Sequence, residues 1–383
     1  MPRNHFTLHT VLSLITVLTL NSCTSTSPTP LSFDDLPAQT ELPDPLLREN
    51  GKRVKKVKHW DDRHSEMLDM VLKYEYGYPD FDSPCIVFDP PINITSSELI
   101  ETSVRFDGLS QFSSYTINFG IDEKLSTPLH LYIPKDGKVT HPVIVRFGLG
   151  GEHARLANER GYAFACFDQT SLDPDTEGHD IVGPAQAMYP EATWGSVAVW
   201  AWGASRVLDY LQSRDDIDIT QSVITGHSRT GKAALLTGVL DDRFAIVVPN
   251  GSGAGGVAAF RGSEKGVETL ELITRESRFK SWFHKDFGQF GEHVNKLPFD
   301  QHFMRALVAP RVILSTDAYA DQWCNRKGVQ SAWQAAQPVF DLLGVPENNL
   351  IHFREGNHDQ LAPDFNVLLD VADAYFNGKP MPE

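Results

Sequence analysis

The chain has 383 residues, a formal net charge of −16 at pH 7 and a pI near 5.3. This length suits one large α/β domain or two small ones, and the apolar content is sufficient for a sizeable core. The acidic balance argues against nucleic acid or an anionic membrane surface as the main partner.

The N-terminus has the pattern of an export signal. Residues 1–22 combine a charge at Arg3 with an apolar run at 11–20 that is too short to span a membrane. The run ends in Leu-Asn-Ser-Cys at 20–23, which is similar to a bacterial lipobox. We therefore expect a lipid anchor on Cys23, with ordinary cleavage as the alternative because Asn21 is unusual at its position. Residues 23–64 are expected to be a tether and an extended lead-in, followed by a single catalytic domain at 65–383.

The three further cysteines do not indicate a disulfide framework. Cys85, Cys166 and Cys324 allow at most one bridge. Cys166 lies in an apolar run, which predicts a buried thiol. The chain shows no paired Cys/His spacing for zinc, so we expect no metal.

The remaining elements alternate between strand and helix. Residues 65–75 have helical periodicity, and alternating patterns near 101–106, 114–119 and 129–134 predict antiparallel edge strands. Buried strands are predicted at 142–147, 162–167, 222–225, 245–249, 311–316 and 350–353, with helices at 155–161, 194–211, directly after Ser228, near 328–343 and at 363–376. The order predicts an α/β-hydrolase-type fold with a mostly parallel sheet, antiparallel N-terminal edge strands and helices on both faces. An aromatic-rich insertion at about 257–305 is expected to form a binding wall.

The stretch around Ser228 predicts a nucleophile elbow. The β-branched run at 222–225 leads through Gly226 and Ser228 into an alanine- and leucine-rich helix. Such a turn exposes the serine hydroxyl beside the helix N-terminus, which stabilises an oxyanion. Thr230 stands where the simple G-x-S-x-G pattern has its second glycine, so an ordinary Ser/Thr helix cap is the alternative.

A glycine-rich loop at 148–151 follows another buried strand. It suits either a second oxyanion donor or a plain turn.

A serine nucleophile needs a base and an acid, which in this strand order follow the serine along the chain. His358, in the loop after the last strand, is the expected base, whereas His352 lies within that strand. Asp317 and Asp321, after the strand at 311–316, are both plausible acids.

Several ordered motifs make the chain resemble the glucuronoyl esterases, carbohydrate esterase family 15. The Gly-x-Ser-Arg-x-Gly-Lys elbow at 226–232 is the most specific of them. The others are Tyr-Gly-Tyr-Pro at 76–79, Trp-Ala-Trp-Gly at 200–203, Asp-Arg-Phe at 242–244, Ser-Gly-Ala-Gly-Gly at 252–256, Trp-Phe at 282–283, Leu-Pro-Phe-Asp-Gln-His at 297–302, Ala-Pro-Arg at 309–311, Asp-Gln-Trp at 321–323 and Gly-Asn-His-Asp at 356–359. The likeness covers roughly residues 65–376.

The resemblance implies a role for each matched residue. Ser228 is the nucleophile, His358 the base and Arg229 an oxyanion-hole guanidinium. The Asp-x-Trp pattern of bacterial relatives assigns the acid to Asp321. The predicted sugar contacts are Lys232, Trp323 and, by a looser match, Glu268.

The resemblance also implies the reaction. Family members cleave esters between 4-O-methyl-glucuronic acid and lignin alcohols through an acyl-enzyme, with no cofactor. We expect glucuronic-acid esters of plant or algal polysaccharide as substrates and a monomeric, exported protein. Fungal members carry a glutamate where this chain has Gly251, and a cysteine where it has His227, so their disulfide is absent here.

Two other functions fit the same residues. Another sugar-ester hydrolase, such as an acetyl-xylan esterase, uses the same triad. A glycan-binding lipoprotein with an inactive hydrolase fold binds without turnover.

Overall fold

The computed structural model describes residues 32–78, 96–176, 182–275 and 280–382. Within them, nine strands form one sheet in the order β1-β2-β3-β5-β4-β6-β7-β8-β9. The strands are β1 (Ser96–Arg105), β2 (Ser110–Phe119), β3 (Leu125–Pro134), β4 (His141–Phe147), β5 (Ala163–Phe167), β6 (Ile217–His227), β7 (Ile246–Asn250), β8 (Val312–Ala318) and β9 (Asn349–Arg354). The predicted signal and tether up to residue 31, Cys23 among them, and Cys85 lie outside the described residues.

The sheet changes direction at β5. Strands β1, β2, β3 and β5 pair antiparallel, whereas β5, β4, β6, β7, β8 and β9 pair parallel. This arrangement confirms the predicted antiparallel edge on a mostly parallel sheet. Because parallel strands end at the same edge, the loops after β6, β8 and β9 meet there.

Nine α-helices lie before, between and after these strands in the described part of the chain. They are α1 (Trp60–Val71), α2 (Ala154–Glu159), α3 (Pro184–Met188), α4 (Ser196–Gln212), α5 (Arg229–Leu240), α6 (Leu270–Thr274), α7 (His302–Val308), α8 (Arg326–Leu343) and α9 (Ala362–Phe376). Among the described residues, none of the helices is long and apolar enough to cross a membrane.

Strand alternation gives the parallel part of the sheet two apolar faces. One face packs against α2 and α9 in a cluster that includes Ile144, Val223 and Leu314. The other receives α5, whose Gly238 lies directly against the Val247 side chain. Trp200 and Trp202 of α4 are completely buried, so they pack within the core.

The first helix begins earlier than predicted. It starts at Trp60 rather than Ser65, and a turn of π-helix continues it over Leu72–Tyr76. Asp61 and Asp62 fall in its first turn, where carboxylates favour the helix N-terminus. The expected lead-in boundary near residue 64 therefore falls inside α1.

The described parts of the aromatic insertion at 257–305 have a buried interior. Phe260, Trp282, Phe283, Phe287 and Phe290 are buried. Phe283 and Phe287 pack with ring centroids 5.3 Å apart. These side chains form a small core of their own, because clustered aromatic rings gain more by mutual burial than by facing water.

Candidate active site

The turn between β6 and α5 has a backbone that few residues adopt. Ser228 has φ 57° and ψ −122°. A Cβ on Gly226 would lie 2.2 Å from the carbonyl oxygen of Thr230, so this close approach requires glycine. The turn is the strained strand-to-helix geometry that exposes a serine hydroxyl.

Thr230 braces this turn where the simple pattern has glycine. Its hydroxyl accepts from the His227 N–H at 3.0 Å and donates to the His227 carbonyl at 2.8 Å. Gly231, one residue later, occupies the crowded position, since a Cβ there would lie 2.7 Å from the Asn250 carbonyl oxygen. The departure from G-x-S-x-G therefore leaves the turn intact.

The Ser228 hydroxyl does not cap α5. Its Oγ lies 2.9 Å from Nε2 of His358, and Nδ1 of His358 lies 2.7 Å from Oδ2 of Asp321. The three side chains come from the loops after β6, β9 and β8. The structure thus brings the predicted serine, histidine and aspartate into one hydrogen-bonded chain.

The two candidate acids have opposite environments. Burial alone would raise the pKa of Asp321, but hydrogen bonds from His358 and from Cys324 outweigh it and hold this pKa below its ordinary value. Asp317, at the end of β8, is fully buried, and its carboxylate oxygens have no hydrogen-bond partner in the described part of the chain. Burial, with the charge of Asp321, raises the pKa of Asp317 to about 7. Of the two, Asp321 is the one in reach of His358.

The ring of His358 is enclosed by further polar groups. His227 lies beside it with centroids 4.6 Å apart, and its Nδ1 is 2.6 Å from Oδ1 of Asn250. A Cβ on Gly251 would lie 3.5 Å from the His358 ring. Gly251, at which the resemblance predicts a glutamate in fungal members, therefore adjoins the histidine and carries no side chain here.

Arg229 is held by two residues from distant segments. Its Nη1 forms an ion pair with Oδ2 of Asp175 at 3.0 Å, and its guanidinium lies over the Trp282 ring, 5.1 Å from the centroid. The Trp282 indole N–H in turn donates to Oδ1 of Asp175 at 3.2 Å. No sequence pattern pointed to Asp175, which lies in a polar loop.

In the glycine-rich loop after β4, the first backbone N–H donates hydrogen bonds to other parts of the fold. Gly148 has φ +80°, and its N–H donates to the Phe167 carbonyl at 2.8 Å and to Oε1 of Gln169 at 3.0 Å. This glycine therefore behaves as a turn residue.

The predicted sugar contacts also lie together. The buried ammonium of Lys232 donates to the Ser252 and Ala254 carbonyls, each at 2.6 Å, and to Oε2 of Glu268 at 2.9 Å. The Glu268 N–H donates to the Trp323 carbonyl at 2.8 Å. All three N–H donors of the ammonium have acceptors in the protein, so the main role of Lys232 is to hold Glu268 in position.

Known proteins are similar to this chain in sequence. The family model for glucuronyl esterases of fungi matches residues 120–344, more than half of the chain. Carbohydrate esterase MZ0003 from an unknown prokaryotic organism is 31% identical to this chain. The alignment covers 88% of this chain and 90% of that protein. 4-O-methyl-glucuronoyl methylesterase 1 of Wolfiporia cocos (strain MD-104) is 28% identical to this chain. The alignment covers 88% of this chain and 80% of that protein.

A solved structure agrees with these sequence matches. The glucuronoyl esterase from Solibacter usitatus superimposes with a TM-score of 0.75 at 28% identity, over 89% of this chain and 99% of that one. The α/β-hydrolase fold and the resemblance predicted from the sequence are confirmed. The chain belongs to the glucuronoyl esterases of carbohydrate esterase family 15.

Proposed function

We propose that this protein hydrolyses esters of glucuronic acid and 4-O-methyl-glucuronic acid through an acyl-enzyme on Ser228. The observation that carries the proposal is the hydrogen-bonded chain from Ser228 through His358 to Asp321 on a strained turn. It is supported by membership of an esterase family with relatives named for this activity.

The first half of the reaction forms the acyl-enzyme. Oγ of Ser228 attacks the ester carbon while Nε2 of His358 takes its proton. Asp321 accepts the Nδ1 hydrogen and stabilises the imidazolium. The oxyanion develops beside the N-terminus of α5, and the Arg229 guanidinium adds positive charge. The alcohol then leaves with the proton from His358.

The second half releases the acid. Water gives a proton to His358 and attacks the acyl carbon, and the uronic acid leaves as Ser228 takes its proton back. Glu268, braced by Lys232, and Trp323 are suited to hold the sugar, since a carboxylate accepts from hydroxyl groups and an indole packs on a sugar ring.

A substrate panel tests the activity. We expect a higher kcat/KM for benzyl glucuronate than for 4-nitrophenyl acetate. Ser228→Ala should lower kcat by several orders of magnitude with an unchanged melting temperature. Ser213→Ala, at the end of α4, is the control. Preference for the acetate ester supports another sugar-ester hydrolase. Glycan binding without turnover, and no labelling of Ser228 by a fluorophosphonate, supports the inactive lipoprotein.

We also propose export and a diacylglyceryl anchor on Cys23, on the grounds of the lipobox-like Leu-Asn-Ser-Cys at 20–23. Mass spectrometry of the membrane fraction should find lipid on this cysteine, and Cys23→Ala should release the protein. A mature chain that starts beyond residue 23 without lipid contradicts the anchor. We further expect the substrate to be a glucuronic-acid ester of plant or algal polysaccharide. We expect the protein to be a monomer.

A further inference from the structure

A thiol lies against the proposed catalytic histidine. Sγ of Cys324 is 3.3 Å from Nδ1 of His358 and donates to the Gly251 carbonyl oxygen at 2.9 Å. One ligand atom each from Asp321, Cys324 and His358 lie within 4.8 Å of one another. A thiol, an imidazole and a carboxylate are together the ligand types of zinc sites.

We propose that Cys324, His358 and Asp321 bind a thiophilic divalent cation, Zn²⁺ or Cd²⁺, and that the bound ion reversibly inhibits the esterase. The inhibition rests on the proposed function, because it requires His358 to be the base. The binding itself depends only on the three side chains.

The distances suit an ion after a small adjustment. Ligand atoms about 2.0–2.3 Å from a tetrahedral ion lie about 3.3–3.7 Å from one another. The 3.3 Å between Sγ and Nδ1 must open by about 0.2 Å to reach the ~3.5 Å of a sulfur–nitrogen pair, and the 2.7 Å between Nδ1 and Oδ2 by somewhat more than half an ångström. The Gly251 carbonyl oxygen, 2.9 Å from Sγ, would be a fourth ligand after an opening of about half an ångström.

The burial of the site also suits a retained ion. Asp321 and Cys324 are buried, whereas the His358 side chain is 34% exposed and gives access from solvent. A thiolate and a carboxylate balance the two positive charges of the ion, so the enclosed cluster carries no net charge.

Proton accounting explains why the ion inhibits. Coordination displaces the thiol proton to solvent, since a metal-bound thiol is deprotonated. Nδ1 of His358 binds the ion through its lone pair, so the single proton of the neutral ring moves to Nε2. Nε2 then cannot accept the proton of Ser228, and Asp321 no longer receives the Nδ1 hydrogen.

Metal titration of the full chain tests the proposal. Protein freed of metal by EDTA should bind one equivalent of Zn²⁺ by calorimetry and lose esterase activity, which excess EDTA restores. Mg²⁺ should have no effect, because it prefers oxygen ligands. Co²⁺ should produce a thiolate-to-metal charge-transfer absorption.

Cysteine variants locate the site. Cys324→Ser should remove the Co²⁺ absorption and raise the half-inhibitory Zn²⁺ concentration at least tenfold, measured against its own uninhibited activity. Cys166→Ala and Cys85→Ser are controls that should keep both the absorption and the inhibition. If Cys324→Ser does not fold, Cys324→Ala and the wild-type Co²⁺ spectrum give the same comparison.

The outcomes separate this proposal from the esterase assignment. Ser228→Ala, which lacks the nucleophile, should still bind Co²⁺ with the thiolate absorption, so binding is measurable even if the proposed activity fails. Zn²⁺ inhibition that persists in Cys324→Ser overturns the site. Wild-type protein that binds Zn²⁺ at full activity, or Co²⁺ without a thiolate absorption, overturns it as well.

Discussion

At the scale of single residues, two neighbouring carboxyl groups differ in their hydrogen bonds. Asp321 accepts from His358 and from the Cys324 N–H, which keeps its pKa low despite burial. Asp317 lacks such donors among the described residues, and burial raises its pKa to about 7. At mildly acidic pH we therefore expect a charged Asp321 and a neutral Asp317, and only a charged acid can stabilise an imidazolium.

This difference predicts unequal effects of the same substitution. Asp321→Asn should lower kcat by about 10⁴, as for triad acids elsewhere. Asp317→Asn replaces a neutral carboxyl with a group of similar shape and should change kcat little. Steady-state kinetics at pH 6 on both variants provides the check, and the opposite ranking would assign the acid to Asp317.

Arg229 gives a second prediction at this scale. Arg229→Ala should lower kcat more than it raises KM, because the charge that it stabilises exists only in the transition state. Asp175→Asn should cause a smaller loss of the same kind, since the ion pair at 3.0 Å aims the guanidinium. Arg155→Ala, on the surface of α2, is the control for removing an arginine. A change in KM alone for Arg229→Ala would indicate plain substrate binding.

At the scale of elements, the junction of β6 and α5 determines where the serine lies. Gly226 admits the Thr230 carbonyl, and the Thr230 hydroxyl ties back to His227. The junction is further fixed by the Ser228 N–H, which donates to the Asn250 carbonyl at 2.9 Å. The position of the hydroxyl thus follows from close backbone packing.

Gly226→Ala tests that packing. Its Cβ would lie 2.2 Å from a backbone oxygen, so the turn must shift, and overpacking of this kind costs about 1–3 kcal/mol. A displacement of the hydroxyl by about 1 Å should lower kcat roughly 10²-fold. Gly288→Ala is the matched control, because its Cβ meets nothing closer than 3.6 Å. Wild-type kcat and melting temperature in Gly226→Ala would refute this account of the turn.

At the scale of the whole molecule, buried carboxyl groups make stability depend on pH. Glu75 lies in the core, where burial raises its pKa to about 8 although Nε2 of Gln301 lies within 3.0 Å of both its oxygens. A neutral Glu75 paired with this amide explains how the group is tolerated.

The sign of the effect follows from proton binding. The folded pKa of Glu75 lies above its unfolded value, so the folded state binds the extra proton. Its stabilising contribution is full below about pH 4.5, declines as pH rises and is lost beyond about pH 8. Burial raises the pKa of Asp173 to about 6 and that of Asp317 to about 7, so both act in the same direction.

Glu75→Gln should therefore reduce the fall in stability between pH 5 and pH 9. Urea unfolding midpoints at the two pH values should lie closer together than in the wild type, with part of the difference remaining from Asp173 and Asp317. Glu347→Gln, which alters an exposed residue, should leave the wild-type difference unchanged. A midpoint difference in Glu75→Gln as large as in the wild type would show that Glu75 does not titrate in this range.

The sequence by itself determined the order of the elements and the place of the elbow. Strand and helix follow from local periodicity, and the turn at Ser228 follows from neighbouring small residues. Chain order also put His358 and a following-strand aspartate at the same sheet edge as Ser228, because parallel strands end together. The local signal was weaker at the first helix, which begins at Trp60 rather than Ser65.

Tertiary structure alone decided which side chains meet. Chain order left both Asp317 and Asp321 plausible and only the family resemblance favoured Asp321, whereas the fold places Asp321 2.7 Å from Nδ1 of His358. The pairs Arg229–Asp175 and Lys232–Glu268 join segments 54 and 36 residues apart. Contacts of this kind depend on the paths of irregular loops, whose residues leave no periodic pattern, and so no local reading of the chain reveals them.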